Sequence, residues 1–307
     1  GEALRCREEH LARAELGDEL LAFLVERADR AKTDEARAAF LARAATLAEE
    51  RLDDPRAAVQ LWEKRALLPV SQLDSLQALE RLHERLGDLA GVAKSLEAQL
   101  ALVKKPEERV PLLRRLGEHS AHRMSDDVRA EACWKEILAI EPSDRATHEE
   151  LMALHRRRGD FESLDRALSV RAWMTSSGST DEVLGFWHTA ARNVDENIGD
   201  ARRAVGAFQR VLDLAPNDRT ALAAIVRHRR ALNRRRDLIA ALEAELRVVP
   251  PSDREGRTAR ALEIAKLWEE EKQRVAALAA YERVLRWDPT DGTALVGIAL
   301  LRTGAEV

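Results

Sequence analysis

Hydrophobic side chains recur along most of the chain at spacings of three and four residues, the period of an amphipathic α-helix. In segment 200–214 this spacing is followed by Ala201, Ala204, Val205, Phe208, Val211 and Leu212. Gly199 and Asp200 interrupt the pattern before this segment, and Pro216, which cannot continue a helix, ends it. No segment alternates apolar and polar residues for long enough to predict a strand. The pattern therefore predicts an all-α protein.

The helical pattern itself repeats, with a period of about 72 residues. An alanine followed four residues later by an aromatic occurs in four copies, Ala58–Trp62, Ala130–Trp134, Ala204–Phe208 and Ala277–Tyr281. A proline follows each aromatic closely, at Pro69, Pro142, Pro216 and Pro289. Residues one turn apart share a helix face, so the alanine admits a neighbouring helix and the ring fills the adjacent space. One helical hairpin cannot bury such a face alone, so we predict stacked hairpins, two in each repeat.

We expect one solenoid over 1–307 with about eight hairpins. Its predicted units are 1–72, 73–144, 145–218 and 219–291, followed by a terminal helix, 292–303. After the prolines, Asn217 or Asp218 can cap the next helix, and Asp144 and Asp291 occupy the matching positions. Because the chain begins at Gly1 and ends within the repeats, we expect it to be a fragment of a larger protein.

These marks resemble the tetratricopeptide repeat (TPR) family, whose 34-residue helix-turn-helix unit has a small residue, an aromatic four later and a proline eight after that. The hairpins between the strong copies keep a turn and a leucine but lack the aromatic and the proline, as in GDLAGVAKSL, GDFESLDRAL and NRRRDLIAAL. This alternation is similar to that of long bacterial TPR proteins. The resemblance implies a TPR-like right-handed α-α superhelix whose first helices line the concave side. It also implies a protein–protein interaction scaffold without catalysis.

Composition and motifs narrow the function further. Charged residues make up 34% of the chain but the net charge is only -4, which argues against a globally basic nucleic-acid-binding domain. The sequence has no phosphate-binding loop, dinucleotide fingerprint, nucleophile elbow or zinc-protease motif, so we predict no enzyme and no cofactor. His119 and His122 have a spacing that two metal ligands could use. No third ligand is recognisable on another helix, so we predict no metal.

The cysteines, the apolar stretches and the remaining tryptophans are those expected of an ordinary soluble protein. Cys6 and Cys133 match no metal-ligand spacing, and we interpret them as incidental thiols of a reducing compartment. The chain has neither an apolar stretch long enough for a membrane span nor a signal peptide. We therefore expect a cytoplasmic protein, although its natural N-terminus is expected to lie before Gly1. The tryptophans outside the repeat marks are predicted to pack in the core, namely Trp173, Trp187, Trp268 and Trp287.

A concentration of arginine marks the fourth repeat. His83, His155 and His228 recur near helix ends, where a cation is favourable because the last carbonyl groups are unpaired. Beside the third of these histidines stand Arg227, Arg229, Arg230, Arg234, Arg235 and Arg236, which we call the arginine ridge. Only Asp237 is close to them in sequence, so we expect the arginines to repel one another and to attract an anionic partner.

A second set of candidates follows from the helical register of the concave side. It consists of Arg43, Arg114, Arg115, Glu118, His122, His188, Arg192, Glu263 and Lys266. The predicted partner-binding residues are the arginine ridge, His228, Arg114, Arg115, His122, His188, Arg192 and Lys266. We predict a scaffold that binds a partner protein or peptide. An acidic segment of the partner would suit these mainly basic residues. The alternative is a solenoid whose arginines bind a polyanion such as nucleic acid, a reading that no interleaved aromatic supports. The apolar terminal helix is expected to cap the array or to join two copies of the chain.

Overall fold

A computed structural model describes His10, residues 16–175 and residues 179–303. This part of the chain contains sixteen α-helices and no strand, which confirms the all-α prediction. None of the helices described is both long enough and apolar enough to cross a membrane.

The chain separates into two compact units, Gly1–Leu154 and His155–Val307. The helices of the first unit are α1 (Gly17–Asp29), α2 (Asp34–Glu50), α3 (Pro55–Ala66), α4 (Gln72–Leu86), α5 (Leu89–Leu102), α6 (Pro106–His119) and α7 (Asp127–Ile140). The division falls within α8 (Arg145–Arg158). A π-helical turn, Ser120–Met124, continues α6.

The second unit contains the remaining helices. They are α9 (Phe161–Met174), α10 (Thr180–Asn193), α11 (Ala201–Leu214), α12 (Arg219–Ala231), α13 (Arg235–Val248), α14 (Arg254–Glu270), α15 (Arg274–Trp287) and α16 (Gly292–Thr303). A π-helical turn, Val194–Ile198, continues α10.

Within each unit the helices pack in chain order, from α1 to α7 and from α9 to α16. Short connections make consecutive helices antiparallel neighbours, so the elements form helical hairpins. We call the first helix of a hairpin helix A and the second helix B. The even-numbered helices are then helices A and the odd-numbered ones are helices B.

The alanine–aromatic marks lie in the core, as predicted. The four alanines are completely buried, namely Ala58, Ala130, Ala204 and Ala277. The four aromatic side chains are at most 9% exposed, namely Trp62, Trp134, Phe208 and Tyr281. The partner helix also needs a small residue where a ring packs on it. A Cβ atom at Gly117 of α6 would lie 2.8 Å from Nε1 of Trp134, and one at Gly297 would lie 2.6 Å from Cζ of Tyr281. Glycine at these two positions lets the helices of each pair approach.

The core prediction is wrong for one tryptophan. Trp187 is buried and Trp268 and Trp287 are half-buried, but Trp173 is 66% exposed. Trp173 occupies the position of helix B that Ala101 and Arg247 occupy in the other degenerate hairpins, and both are exposed. The position faces solvent in all three copies, so its residue type did not decide its burial.

Aspartates cap the helices that follow the repeat prolines. The carboxylate of Asp218 accepts a hydrogen bond from the N–H of Ala221 at 2.8 Å, so Asp218 and not Asn217 is the cap. Asp144 and Asp291 accept equivalent bonds at 2.8 Å. These carboxylates satisfy N–H groups that the first helical turn leaves unpaired, as the sequence predicted.

Helices A also end in a regular way that the sequence only partly signals. Within three residues of the helix end, the backbone is left-handed at Gly87 (φ +70°), Gly159 (φ +67°) and Asn233 (φ +53°). The strong hairpins have the same feature at Asp53, Ser125, Gly199 and Lys272. Only glycine adopts this conformation without cost, so three of these four turns carry no glycine signal in the sequence.

The terminal helix α16 packs against α15. Ala294, Gly297 and Ile298 are buried there, whereas Leu295 and Val296 are 48% and 59% exposed. The helix therefore covers the preceding hairpin, and association of two copies through it remains a prediction.

Acid should weaken this fold through its capping aspartates. Burial alone would raise the pKa of Asp144, but the N–H of Thr147 and the Arg114 guanidinium lower it below its ordinary value. A lowered pKa in the folded state gives stability that is present above the unfolded pKa of about 3.9 and is lost as the pH falls through the folded pKa. Asp144→Asn keeps the capping oxygen and removes this titration. We expect the variant to be less stable than the wild type at pH 7, and we expect this difference in urea unfolding to shrink as the pH falls below about 3.9. A constant difference across this range would contradict the assignment.

Candidate functional site

The predicted residues of the first unit tie neighbouring helices together. Arg114 of α6 donates to Asp144, the cap of α8, at 2.5 Å. Arg115 donates to Glu80 of α4, a residue with only 3% exposure. The ring of His122 lies 3.6 Å from Glu150 of α8. All three candidates therefore bridge consecutive helices A.

The histidine pair considered for metal binding is also engaged within the fold. Nε2 of His119 lies 2.8 Å from the carbonyl oxygen of Leu89. A carbonyl only accepts, so this nitrogen carries the proton and donates. Among the residues that the structure describes, no three His, Cys, Asp or Glu side chains are grouped so that they could hold a metal ion.

Cys133 is buried, and burial raises the pKa of its thiol to about 11. The thiol is therefore protonated and unreactive near neutral pH, in line with an incidental role. Cys6 lies outside the described residues.

In the second unit, three predicted residues meet in one cleft. His188 and Arg192 of α10 face Arg227 of α12 across a space of about 320 Å³, which we call the first cleft. Apolar atoms of Phe208, Ala223 and Ala224 contribute to its lining. Sequence register placed the first two residues in the groove and the third on the arginine ridge, so the structure joins two separately predicted sets.

Two of the three basic residues in the first cleft contact aspartates. Nε2 of His188 lies 2.9 Å from Oδ2 of Asp218, which also caps α12. Arg227 donates to Asp195, and Nε2 of His228 lies 2.9 Å from the same carboxylate. These contacts link α10 and its π-helical continuation to α12, so His188 and Arg227 are already engaged within the unit.

Two charged residues in the first cleft make no such contact. Arg192 and Glu196 both line it, and both are exposed. Neither side chain makes a hydrogen bond or ion pair with any residue in the described ranges. The cleft therefore offers one cation and one anion to a ligand.

A second cleft of about 320 Å³ adjoins the first across α12. Thr220 and Ala223 line both clefts. In the second cleft, Arg260 donates to the buried Glu245 at 2.7 Å, which raises the pKa of the arginine. Arg219 is exposed there and has no hydrogen bond or ion pair through its side chain within the part of the chain described.

The arginine ridge is not the unneutralised surface that the sequence suggested. Arg230 donates to Glu263 at 2.9 Å, Arg235 lies 2.8 Å from Glu270, and Arg236 donates to Glu271 at 2.9 Å. The remaining arginines bond to Asp195 (Arg227), the Asp237 carbonyl (Arg229) and the Asp237 carboxylate (Arg234). The expectation of mutual repulsion was wrong because most of these carboxylates lie on helices one hairpin away. A search for opposite charges about 32–35 residues apart would have found them.

Two of the three recurring histidines contact the aspartate that caps the following helix. Nδ1 of His83 lies 2.9 Å from Asp88, the cap of α5. His155 lies 3.8 Å from Asp160, the cap of α9. Arg234 stands at the equivalent position of α13 and provides no cap, so His228 contacts Asp195 instead.

Lys266 is separate from the other candidates. It lies exposed on α14 and lines neither cleft. The structure thus brings His188, Arg192 and Arg227 together, with His228 sharing the Asp195 contact, and leaves Lys266 aside. Sequence reasoning missed Asp195, Glu196 and Arg219, which no motif marks.

Comparison with known proteins finds similar solved structures at low identity. No protein-family profile and no curated protein matches the chain. Solved structures similar to it include the C-terminal part of a TPR repeat-containing protein from Cytophaga hutchinsonii, at 15% identity and a TM-score of 0.34, which covers 83% of this chain and 98% of its own. A tetratricopeptide repeat protein from Parabacteroides merdae is 11% identical with a TM-score of 0.35, and 98% of each chain is covered. TM-scores this low carry no argument, so the assignment depends on this chain's own marks and helix packing. On those grounds, the described chain is an all-α array of helical hairpins whose repeat marks resemble those of tetratricopeptide repeats.

Proposed function

We propose that the chain is a protein-binding scaffold that holds a segment of a partner protein in the first cleft. The observation that carries the proposal is the convergence of His188, Arg192 and Arg227 beside an apolar lining. Apolar surface with a few convergent polar groups is the usual composition of a binding cleft, because the first supplies affinity and the second supplies orientation.

The alternative, a polyanion bound by the arginine ridge, receives less support. Its arginines already contact carboxylates or a backbone carbonyl, and a polyanion would have to displace those contacts. Exposed ion pairs are individually weak, so displacing one of them costs little, but the cost of displacing six contacts adds up. Photocrosslinking separates the two functions.

Photocrosslinking in cells tests the proposal. A photoreactive phenylalanine replaces Ala223, which is exposed and lines both clefts. The matched control carries the same residue at Val128 of α7, which is 73% exposed. We expect peptide adducts of a defined protein at position 223 and none of that protein at position 128, read by mass spectrometry. Nucleic-acid adducts at position 223, or identical protein adducts at both positions, would contradict the proposed function.

A further inference from the structure

Some of the charged side chains that line the two clefts are paired within their own unit, and others are not. Arg227, Arg260 and His188 each contact a carboxylate of their own unit. Apart from these pairs, the side chains of Arg192, Arg219 and Glu196 have no hydrogen-bond or ion-pair partner in the described part of the chain. The unsatisfied charge of the two clefts is therefore two cations against one anion.

The position of Arg219 adds to the attraction for an anion. It is the first residue of α12, where the helix dipole is positive and a basic side chain is unfavourable for the helix. Asp218 already caps this end, so capping does not require Arg219. The positive side chain of Arg219 and the positive N-terminal end of α12 together favour a negative group in the second cleft.

The two unused arginines can serve one continuous ligand. Arg192 lines the first cleft and Arg219 the second, and the clefts meet at Thr220 and Ala223. Small side chains at this junction leave room for the backbone of an extended segment to cross α12. An extended chain presents alternate side chains to the same side, so two of them can reach the two arginines.

We propose that the adjoining clefts bind an extended acidic peptide of the partner, with one carboxylate on Arg192 and a second on Arg219. This inference rests on the proposed function. The carboxylates of Asp195, Glu196 and Glu245 also line the clefts and oppose a ligand that is charged at every unit, such as a nucleic acid. A peptide can place its acidic residues at the arginines and uncharged residues elsewhere.

Peptide binding measured by fluorescence polarisation tests this inference. The probe is the decapeptide (Ala-Glu)₅ carrying an uncharged fluorophore, and (Ala-Gln)₅ is its neutral counterpart. At low salt we expect (Ala-Glu)₅ to bind about tenfold more tightly, because each exposed ion pair contributes modestly and two are formed. The double variant Arg192→Gln/Arg219→Gln should lose this preference, and Arg192→Lys/Arg219→Lys should keep part of it.

Arg202→Gln is the matched control, since Arg202 is exposed on α11 and its side chain has no partner in the described ranges. It should bind both peptides as the wild type does. Equal binding of the two peptides, or a preference that survives in the double glutamine variant, would overturn the inference. So would tighter binding of a single-stranded oligonucleotide that the double variant abolishes. Crosslinking of a partner at position 223 together with equal peptide binding would leave the proposed function standing and remove only the acidic specificity.

Discussion

Trp134→Ala is expected to lower the free energy of unfolding by about 3–5 kcal/mol, the usual cost of truncating a buried aromatic. The indole is 2% exposed and lies in a core cluster that also contains Leu113, Leu116 and Ile137. Its close packing on Gly117 leaves a cavity that the backbone of α6 cannot easily fill. Urea unfolding followed by far-ultraviolet circular dichroism measures the effect.

Trp173→Ala provides the control for this variant. The same side chain is removed, but Trp173 is 66% exposed, so the change should stay within about 0.5 kcal/mol. Similar losses in the two variants would show that the repeat register is wrong, because the register is what distinguishes the two positions.

Arg115→Ala is expected to destabilise the protein by about 2 kcal/mol, since it leaves the buried carboxylate of Glu80 without a partner whose own side chain is 52% exposed. Glu80 is 3% exposed, and its other partner is the amide of Gln99, which donates to it at 2.8 Å. A neutral amide cannot compensate the buried charge. Adding Glu80→Gln to the variant removes the charge and should restore most of the stability, measured as a double-mutant cycle in urea.

The comparison variant is Arg81→Ala. Arg81 also bridges two helices A, through Glu49 at 2.8 Å, but the side chain of Glu49 is 12% exposed against 4% for Glu80. Its loss should cost at most about 1 kcal/mol. Equal effects of the two substitutions would mean that Glu80 is solvated and that the network with Gln99 does not contribute as described.

Arg115 also illustrates how a predicted binding residue can have a structural role. Helical register assigned it to the groove, whereas its contact with Glu80 links α6 to α4. Register gives the face of a helix on which a residue lies. It cannot tell whether a neighbouring helix offers a carboxylate there.

The sequence by itself determined the helices and the marked core positions. Ala130 and Trp134, one turn apart and repeated in four copies, required a close helix contact, and both are buried. Asp144 and Asp291 were predictable caps because a short side chain before a helix has few other uses. These features depend on residues within one or two turns of each other, so local chemistry is sufficient to predict them.

Only the tertiary structure decided which charges remain available to a ligand. Arg236 and Arg192 look alike in the sequence, but Glu271 neutralises the first and nothing in the described ranges neutralises the second. The left-handed turn at Lys272 was equally hidden, since its backbone is imposed by the packing of α14 and α15 and not by a glycine. Ion pairs between hairpins depend on partners 30 or more residues away, and a turn conformation depends on the two helices that the turn joins. In both cases the physical reason is the same, because the packed cores set how closely the partners approach.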